Sequence, residues 1–111
     1  MALFSPPPLG ALELAYRVVM APLTRTRASA EGVPGELMAE HYAQRASLGL
    51  IITEGTYPSA ESRSYPGQPG IVTPEQVEGW RQVAEAVHAR GGRIVMQVMN
   101  GGRVSHPDIT G

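Results

Sequence analysis

The chain has 111 residues, a formal net charge of −1 and no cysteine. That length suits one modest domain, and hydrophobic residues make up 42% of the sequence, enough to bury a core. The near-neutral charge gives no reason to expect nucleic acid or an anionic membrane as a partner. The lack of cysteine excludes a disulfide framework, a thiolate nucleophile and a cysteine-based metal site. No apolar run approaches the roughly 20 residues that span a bilayer, and the start lacks a signal-peptide pattern, so we expect a cytoplasmic protein.

Three short apolar runs predict buried strands. Residues 17–21 form the first run, which ends at Pro22, residues 50–52 form the second and residues 93–97 form the third. Residues 9–14, before the first strand, are expected to form a short hairpin or cap segment.

A first helix is predicted between the first two strands, over residues 36–47. Met38, Tyr42 and Ala46 recur at every fourth position, which gives the helix an apolar stripe. Gly49 is placed to end the helix in a left-handed conformation.

A second helix has the clearest start in the chain. Thr73 is its expected cap, Pro74 suits the first helical position, Gln76 completes a capping box, and the Gly91-Gly92 pair ends the helix. Its expected apolar face consists of Val77, Trp80, Val83, Ala84 and Val87. The long loop before it, residues 55–72, is of a kind that is usually functional or disordered.

The resulting order, β-α-β-α-β, predicts an α/β fold with a parallel sheet whose strands are buried on both faces. A doubly wound sheet and a (β/α)8 barrel share this order. A dinucleotide-binding sheet would carry a Gly-x-Gly-x-x-Gly turn after the first strand, and residues 21–26 contain no glycine. In both architectures the functional groups follow the carboxyl ends of the strands, here residues 21–26, 53–57 and 97–103.

Five segments in the right order resemble the old yellow enzymes, which are FMN-dependent (β/α)8 barrels. They are Met-Ala-Pro-Leu-Thr-Arg at 20–25, His-Tyr-Ala-Gln-Arg-Ala at 41–46, Gly-Leu-Ile-Ile-Thr-Glu-Gly-Thr at 49–56, the stretch 69–76 with Trp80, and Gln97 with Gly-Arg-Val-Ser-His-Pro at 102–107. The resemblance implies a partial TIM barrel, roughly the first three strands and two helices with an N-terminal cap. Residues 1–111 would then be a single N-terminal fragment of an FMN-binding domain.

The resemblance also implies a flavin site. Thr24 would donate a hydrogen bond to the O4/N5 edge of FMN, Gly55 would leave room for the ring, and Gln97 would bind its pyrimidine end. Backbone and apolar contacts to the ring would come from Ala21, Pro22 and Leu23. In the implied reaction NADH or NADPH reduces FMN, and the hydride then passes to an activated alkene such as an enone.

Substrate contacts are implied for Thr26, Tyr65, Met99 and Asn100. The family commonly has Gln-Leu-Trp-His in the third strand, and this chain has Gln-Val-Met-Asn at 97–100, so Met99 replaces an aromatic residue. The family's catalytic residues lie on later strands, so no catalytic residue is expected within this chain. No histidine pair has metal-ligand spacing, and no metal site is expected.

Three strands of a barrel have open edges. We therefore expect the isolated chain to self-associate and to bind FMN weakly. The alternative to an enzyme is a catalytically inactive remnant or an assembly module from a truncated reading frame.

Overall fold

A computed structural model describes residues 2–111 of the chain. In chain order, its strands and helices are β1 (Pro8–Leu9), β2 (Leu12–Glu13), β3 (Val19–Met20), α1 (Glu36–Ala43), β4 (Leu50–Ile52), α2 (Pro74–Ala89), β5 (Ile94–Val95) and α3 (Pro107–Thr110). Short 3-10 turns occupy Ala2–Phe4, Ala60–Ser62 and Gly102–Val104.

The main sheet is parallel, with the order β3-β4-β5. Met20 is in register with Ile51, and Ile51 with Ile94. The predicted β-α-β-α-β order and parallel pairing are therefore confirmed. The predicted N-terminal hairpin is also present, because β1 and β2 pair antiparallel around Gly10, whose φ of +59° suits a tight turn.

The core lies between the two long helices and the sheet. All three predicted stripe positions are buried in this core: Met38 and Tyr42 in α1, and Ala46 in the turns after it. From α2 come Trp80, Val83 and Val87, whereas Val77, expected on the same face, is 49% exposed. The buried face of α2 is therefore narrower than predicted, and Val77 lies beyond its edge.

The start of α2 follows the prediction closely. The Thr73 side chain accepts a hydrogen bond from the Gln76 N–H at 3.2 Å, and the Gln76 side chain accepts from the Thr73 N–H at 3.1 Å. The helix ends before Gly91, whose φ of +77° turns the chain so that the Gly92 N–H reaches the Val87 carbonyl at 3.0 Å.

The end of α1 differs from the prediction. The helix stops at Ala43, and the chain continues through tighter turns. In these turns the N–H groups of Arg45, Ala46 and Leu48 each bond to the carbonyl three residues earlier. Gly49 is not left-handed. A Cβ at Gly49 would lie 2.0 Å from the Tyr16 carbonyl oxygen, so this glycine allows two backbone segments to approach closely.

Burial of the strands also differs from expectation. In β4, Leu50 is 4% exposed and Ile51 is fully buried, whereas Val19 of β3 is 41% and Val95 of β5 is 36% exposed. Within residues 2–111 only the central strand has neighbours on both sides, so only β4 is buried as predicted.

Candidate functional site

The segments that follow β3, β4 and β5 leave the sheet at one edge. Because neighbouring parallel strands end on the same side, residues 21–24, Gly55 and Gln97 emerge at this carboxyl edge. The structure thus brings the predicted cofactor residues to one side of the fold. Their assignment to a flavin remains a prediction.

The segment after β3 presents an open surface. Ala21 and Thr24 are exposed, Pro22 is half-buried, and Leu23 is 58% exposed. The Thr24 hydroxyl makes no hydrogen bond with any residue of the described part of the chain, 2–111. A free hydroxyl and an exposed leucine at a strand end are suited to hold a ring with one polar edge.

Gly55 is buried and lies against Met99. A Cβ at Gly55 would be 2.8 Å from Met99 Sδ and 2.9 Å from its Cε. The bare α-carbon therefore lets the thioether pack directly on the backbone. Two residues predicted separately, one for the cofactor and one for the substrate, are in contact.

Gln97 is half-buried, and its backbone is held on both sides. Its N–H donates to Thr53 Oγ1 at 3.2 Å, and its carbonyl accepts from the Thr56 N–H at 2.9 Å. Within residues 2–111, its carboxamide has no hydrogen-bond partner. The side chain is therefore free to donate and accept at once.

The long loop, residues 55–72, is ordered by buried polar side chains. The fully buried Gln68 donates from Nε2 to the Gly55 carbonyl at 3.1 Å and accepts from the Ser64 N–H at 2.8 Å. In addition, Tyr57 pairs with Gly70. The loop is therefore fixed to the carboxyl edge at Gly55.

Tyr65 and Thr26 belong to two segments in contact. A turn runs from Tyr65 to Gln68, with a 3.2 Å hydrogen bond between them and Gly67 at a φ of +76°. A Cβ at Gly67 would lie 2.6 Å from the Thr26 carbonyl oxygen. Thr26 itself has a φ of +57°, unusual for a residue with a branched side chain, and its hydroxyl donates to the Arg25 carbonyl.

Asn100 takes part in local contacts. Its Nδ2 donates to Ser62 Oγ at 3.3 Å, and its Oδ1 accepts from the Gly102 N–H at 2.7 Å. These bonds would compete with any contact between this amide and a substrate.

A buried carboxyl beside the site was not found in the sequence analysis. Glu54 is 1% exposed and accepts a 2.6 Å hydrogen bond from the Tyr42 hydroxyl, which in turn accepts from the Glu54 N–H. Burial raises the pKa of the Glu54 carboxyl, and the Tyr42 hydroxyl and the nearby Arg25 partly offset this. Burial raises the pKa of Tyr42 as well. Tyr42 lies in α1 and Glu54 follows β4, so no local sequence pattern predicts their contact.

Glu54 lines a pocket of about 240 Å³ together with Arg25, Arg27, Leu37, Met38 and His41. Glu54 Oε1 and His41 Nε2 are buried, and neither atom has a hydrogen-bond partner among residues 2–111. Burial, followed by the charges of Arg45 and Arg25, lowers the pKa of His41.

Metal and membrane sites are not evident in residues 2–111. No group of three or more His, Cys, Asp or Glu side chains in this range could hold a metal ion. Over the same residues, no helix is both long and apolar enough to cross a membrane.

The chain is similar in sequence to known flavin-dependent enzymes. Flavin oxidoreductase hxnT of Emericella nidulans is 48% identical over 98% of the chain, which spans 29% of that protein. A probable flavin mononucleotide-dependent alkene reductase of Leishmania infantum is 46% identical over 89% of the chain and 27% of its own length.

The solved structure of an old yellow enzyme homologue from Zymomonas mobilis matches with a TM-score of 0.96 and 46% identity, over 99% of the chain and 31% of that structure. The chain therefore has the fold of part of a (β/α)8 barrel, as predicted, and it spans about three tenths of the length of the relatives that it matches. The sequence profile of the NADH:flavin oxidoreductase / NADH oxidase family matches residues 2–110, so the chain belongs to that family.

Proposed function

We propose that this chain forms the first three strands of an FMN-dependent NAD(P)H oxidoreductase of the old yellow enzyme type, an ene-reductase. One observation carries the proposal. The unpartnered Thr24 hydroxyl, the unpartnered Gln97 carboxamide and the bare α-carbon of Gly55 follow three adjacent parallel strands at one sheet edge. In this proposal residues 1–111 are a single N-terminal portion of the FMN-binding domain.

The residues at this edge fit a flavin. Gln97 offers one donor and one acceptor, as the uracil-like end of an isoalloxazine requires. Thr24 offers a donor for the edge that becomes electron-rich on reduction. Ala21, Pro22 and Leu23 offer apolar and backbone contacts beside it.

When bound, FMN supplies hydride acceptance from NADH or NADPH and hydride donation to an activated alkene such as an enone. The residues of this chain would bind and orient the flavin ring and the substrate. Thr24 hydrogen-bonds the electron-rich edge, and Gln97 fixes the opposite end of the ring. Met99, packed on Gly55, is proposed to form one wall of the substrate pocket, where a thioether is narrower and more flexible than an aromatic ring.

Thr26, Tyr65 and Asn100 are proposed as further substrate contacts. The contact of the Tyr65 turn with Thr26 supports the first two as one surface. Asn100 needs to release at least one of its two local hydrogen bonds to serve in this way.

Self-association of the isolated chain is also proposed. The outer edges of β3 and β5 have no strand partner within residues 2–111. Exposed apolar side chains include Val19 of β3, Leu23 after it and Val98 after β5. A cytoplasmic location is proposed on the composition, which contains no cysteine.

A chimera tests the proposed function. The chain replaces the matching part of the Zymomonas mobilis homologue, and FMN binding is followed by flavin absorbance and enone reduction by NAD(P)H oxidation. We expect the chimera to bind FMN and to reduce an enone, and Gln97→Ala to weaken FMN binding by about tenfold, the loss of one to two hydrogen bonds. Gln82→Ala, which removes an exposed glutamine of α2, is the matched control.

A folded chimera without flavin would contradict the proposal and favour the inactive remnant or assembly module. Equal FMN affinity of Gln97→Ala and Gln82→Ala would remove Gln97 from the site. In the same series, sedimentation of the unfused chain is expected to show species larger than a monomer.

A further inference from the structure

The pairing of β4 with β5 changes at the carboxyl edge. In β5 and just beyond it, the carbonyls of Arg93, Val95 and Gln97 accept hydrogen bonds, at every second residue. In β4 and just beyond it, the matching donors are the N–H groups of Ile51, Thr53 and Thr56. The spacing between the last two donors is therefore three residues instead of two. The segment after β4 therefore contains a bulge between Thr53 and Thr56.

Gly55 lies inside this bulge, and the bulge removes one main-chain bond. In a regular parallel ladder, the Gln97 N–H would donate to the Thr53 carbonyl. It donates instead to the Thr53 hydroxyl at 3.2 Å. The hydroxyl in turn donates to the Glu54 carbonyl at 3.0 Å. One side chain thus replaces the missing acceptor and connects the two strands.

Thr53 uses its hydroxyl for two internal hydrogen bonds, one from the Gln97 N–H and one to the Glu54 carbonyl. The residue is 2% exposed, and it borders a pocket of about 120 Å³ that Trp80 and Met96 also line. Thr56 Oγ1 also donates to the Glu54 carbonyl at 3.0 Å, yet no hydrogen bond connects that hydroxyl to Gln97. Both hydroxyls donate to the Glu54 carbonyl, but only the Thr53 hydroxyl accepts from the Gln97 N–H.

We propose that Thr53 is a positioning residue of the cofactor site: its hydroxyl takes the place of the main-chain acceptor lost at the bulge and so fixes Gln97 relative to Gly55. This inference rests on the proposed function, because it concerns two residues assigned there to FMN. Thr53 touches no part of the cofactor itself. It holds the Gln97 backbone in place, and the position of that backbone determines where the Gln97 side chain can reach.

The test uses Thr53→Val, which keeps the shape and removes the hydroxyl, and Thr53→Ser, which keeps the hydroxyl. Thr56→Val is the matched control, and Thr53→Ala is a second variant with less bulk beside the backbone. The first readout, on the chain itself, is hydrogen exchange of the Gln97 amide. We expect exchange to be about tenfold faster in Thr53→Val, the loss of one hydrogen bond, and unchanged in Thr53→Ser and Thr56→Val.

The second readout is the dissociation constant of FMN from the chimera. We expect FMN to bind about tenfold more weakly to Thr53→Val and Thr53→Ala, with affinity restored in Thr53→Ser. In a Gln97→Ala background, Thr53→Val should have no further effect, since Thr53 acts through Gln97.

The outcomes separate the two proposals. A chimera with unaltered residues that takes up no FMN overturns the proposed function, and the role of Thr53 falls with it. If FMN binds tightly to the chimera with unaltered residues and equally tightly to the Thr53→Val chimera, only the role of Thr53 is overturned. Gln97 exchange that is as slow in Thr53→Val as in Thr56→Val also overturns it.

Discussion

At the scale of single residues, Gly55 and Met99 act as a pair. The thioether of Met99 occupies the space that a Cβ of residue 55 would take. Side chains at these two positions therefore cannot be chosen independently, and the shape of the carboxyl edge depends on both.

Gly55→Ala in the chimera is expected to lower the free energy of unfolding by roughly 1–3 kcal/mol, the usual effect of overpacking. In a Met99→Ala background the same change should have a much smaller effect, because the two closest atoms, Sδ and Cε, are gone and only the Cβ of residue 99, at 3.3 Å, remains. Urea unfolding of the two single variants and the double variant measures the coupling.

Gly35→Ala is the steric control, since a Cβ at Gly35 would meet no atom within 4 Å. Gly35 is the N-cap of α1, so this change alters stability through the cap, and its effect should be the same with and without Met99→Ala. Additive effects of Gly55→Ala and Met99→Ala would contradict the contact.

Residue-scale features were predictable from the sequence only where the pattern is local. The resemblance singled out Thr24, Gly55 and Gln97, and the structure brings them to one edge. The hydroxyl of Thr53 received no role, because its importance depends on a bulge that arises from pairing with a distant segment.

At the scale of elements, the contact between Tyr42 and Glu54 joins α1 to the end of β4. The Tyr42 hydroxyl both donates to the Glu54 carboxyl and accepts from its N–H. The helix thereby holds the residue next to Gly55. Burial raises the pKa of this carboxyl above its ordinary value of 4.5, so the folded protein binds the proton more tightly than the unfolded chain.

This pKa shift makes the contribution of Glu54 to stability depend on pH. Because the folded state holds the extra proton, the free energy of unfolding falls as pH rises from about 4.5 through the raised pKa. Glu54→Gln removes this titration. We expect the variant to gain stability relative to the unaltered protein as pH increases, with the difference smallest at pH 4.5 and below, in urea unfolding from pH 4 to 8.

Glu61→Gln, at an exposed glutamate of the loop, is the control for the general effect of removing a negative charge. A stability difference between Glu54→Gln and Glu61→Gln that does not vary with pH would contradict a raised pKa at Glu54.

The elements also differ in how well the sequence predicts them. Helix α2 follows the prediction because its start is set locally, by Thr73, Pro74 and Gln76. Helix α1 ends early, at Ala43, because the following residues form tight turns that lead into β4. The outer strands are shorter than predicted, since β3 and β5 each pair along one side only.

At the scale of the whole molecule, the chain is extended for its length. Its radius of gyration is 14.8 Å and its extents are 49 × 27 × 21 Å, whereas a compact chain of this length would have a radius of about 13 Å. Within residues 2–111 the outer edges of β3 and β5 are unpaired, which supports the proposed self-association. The chain spans about three tenths of the length of the relatives that it matches.

A crystal structure of the FMN-bound chimera would show whether three residues from three strands meet around one ring. We expect Thr24 Oγ1 and the Gln97 carboxamide to lie within hydrogen-bond distance, about 2.7–3.2 Å, of opposite ends of the isoalloxazine, with Gly55 next to the ring. A flavin bound away from the carboxyl edge of β3, β4 and β5, or one that contacts neither Thr24 nor Gln97, would contradict it.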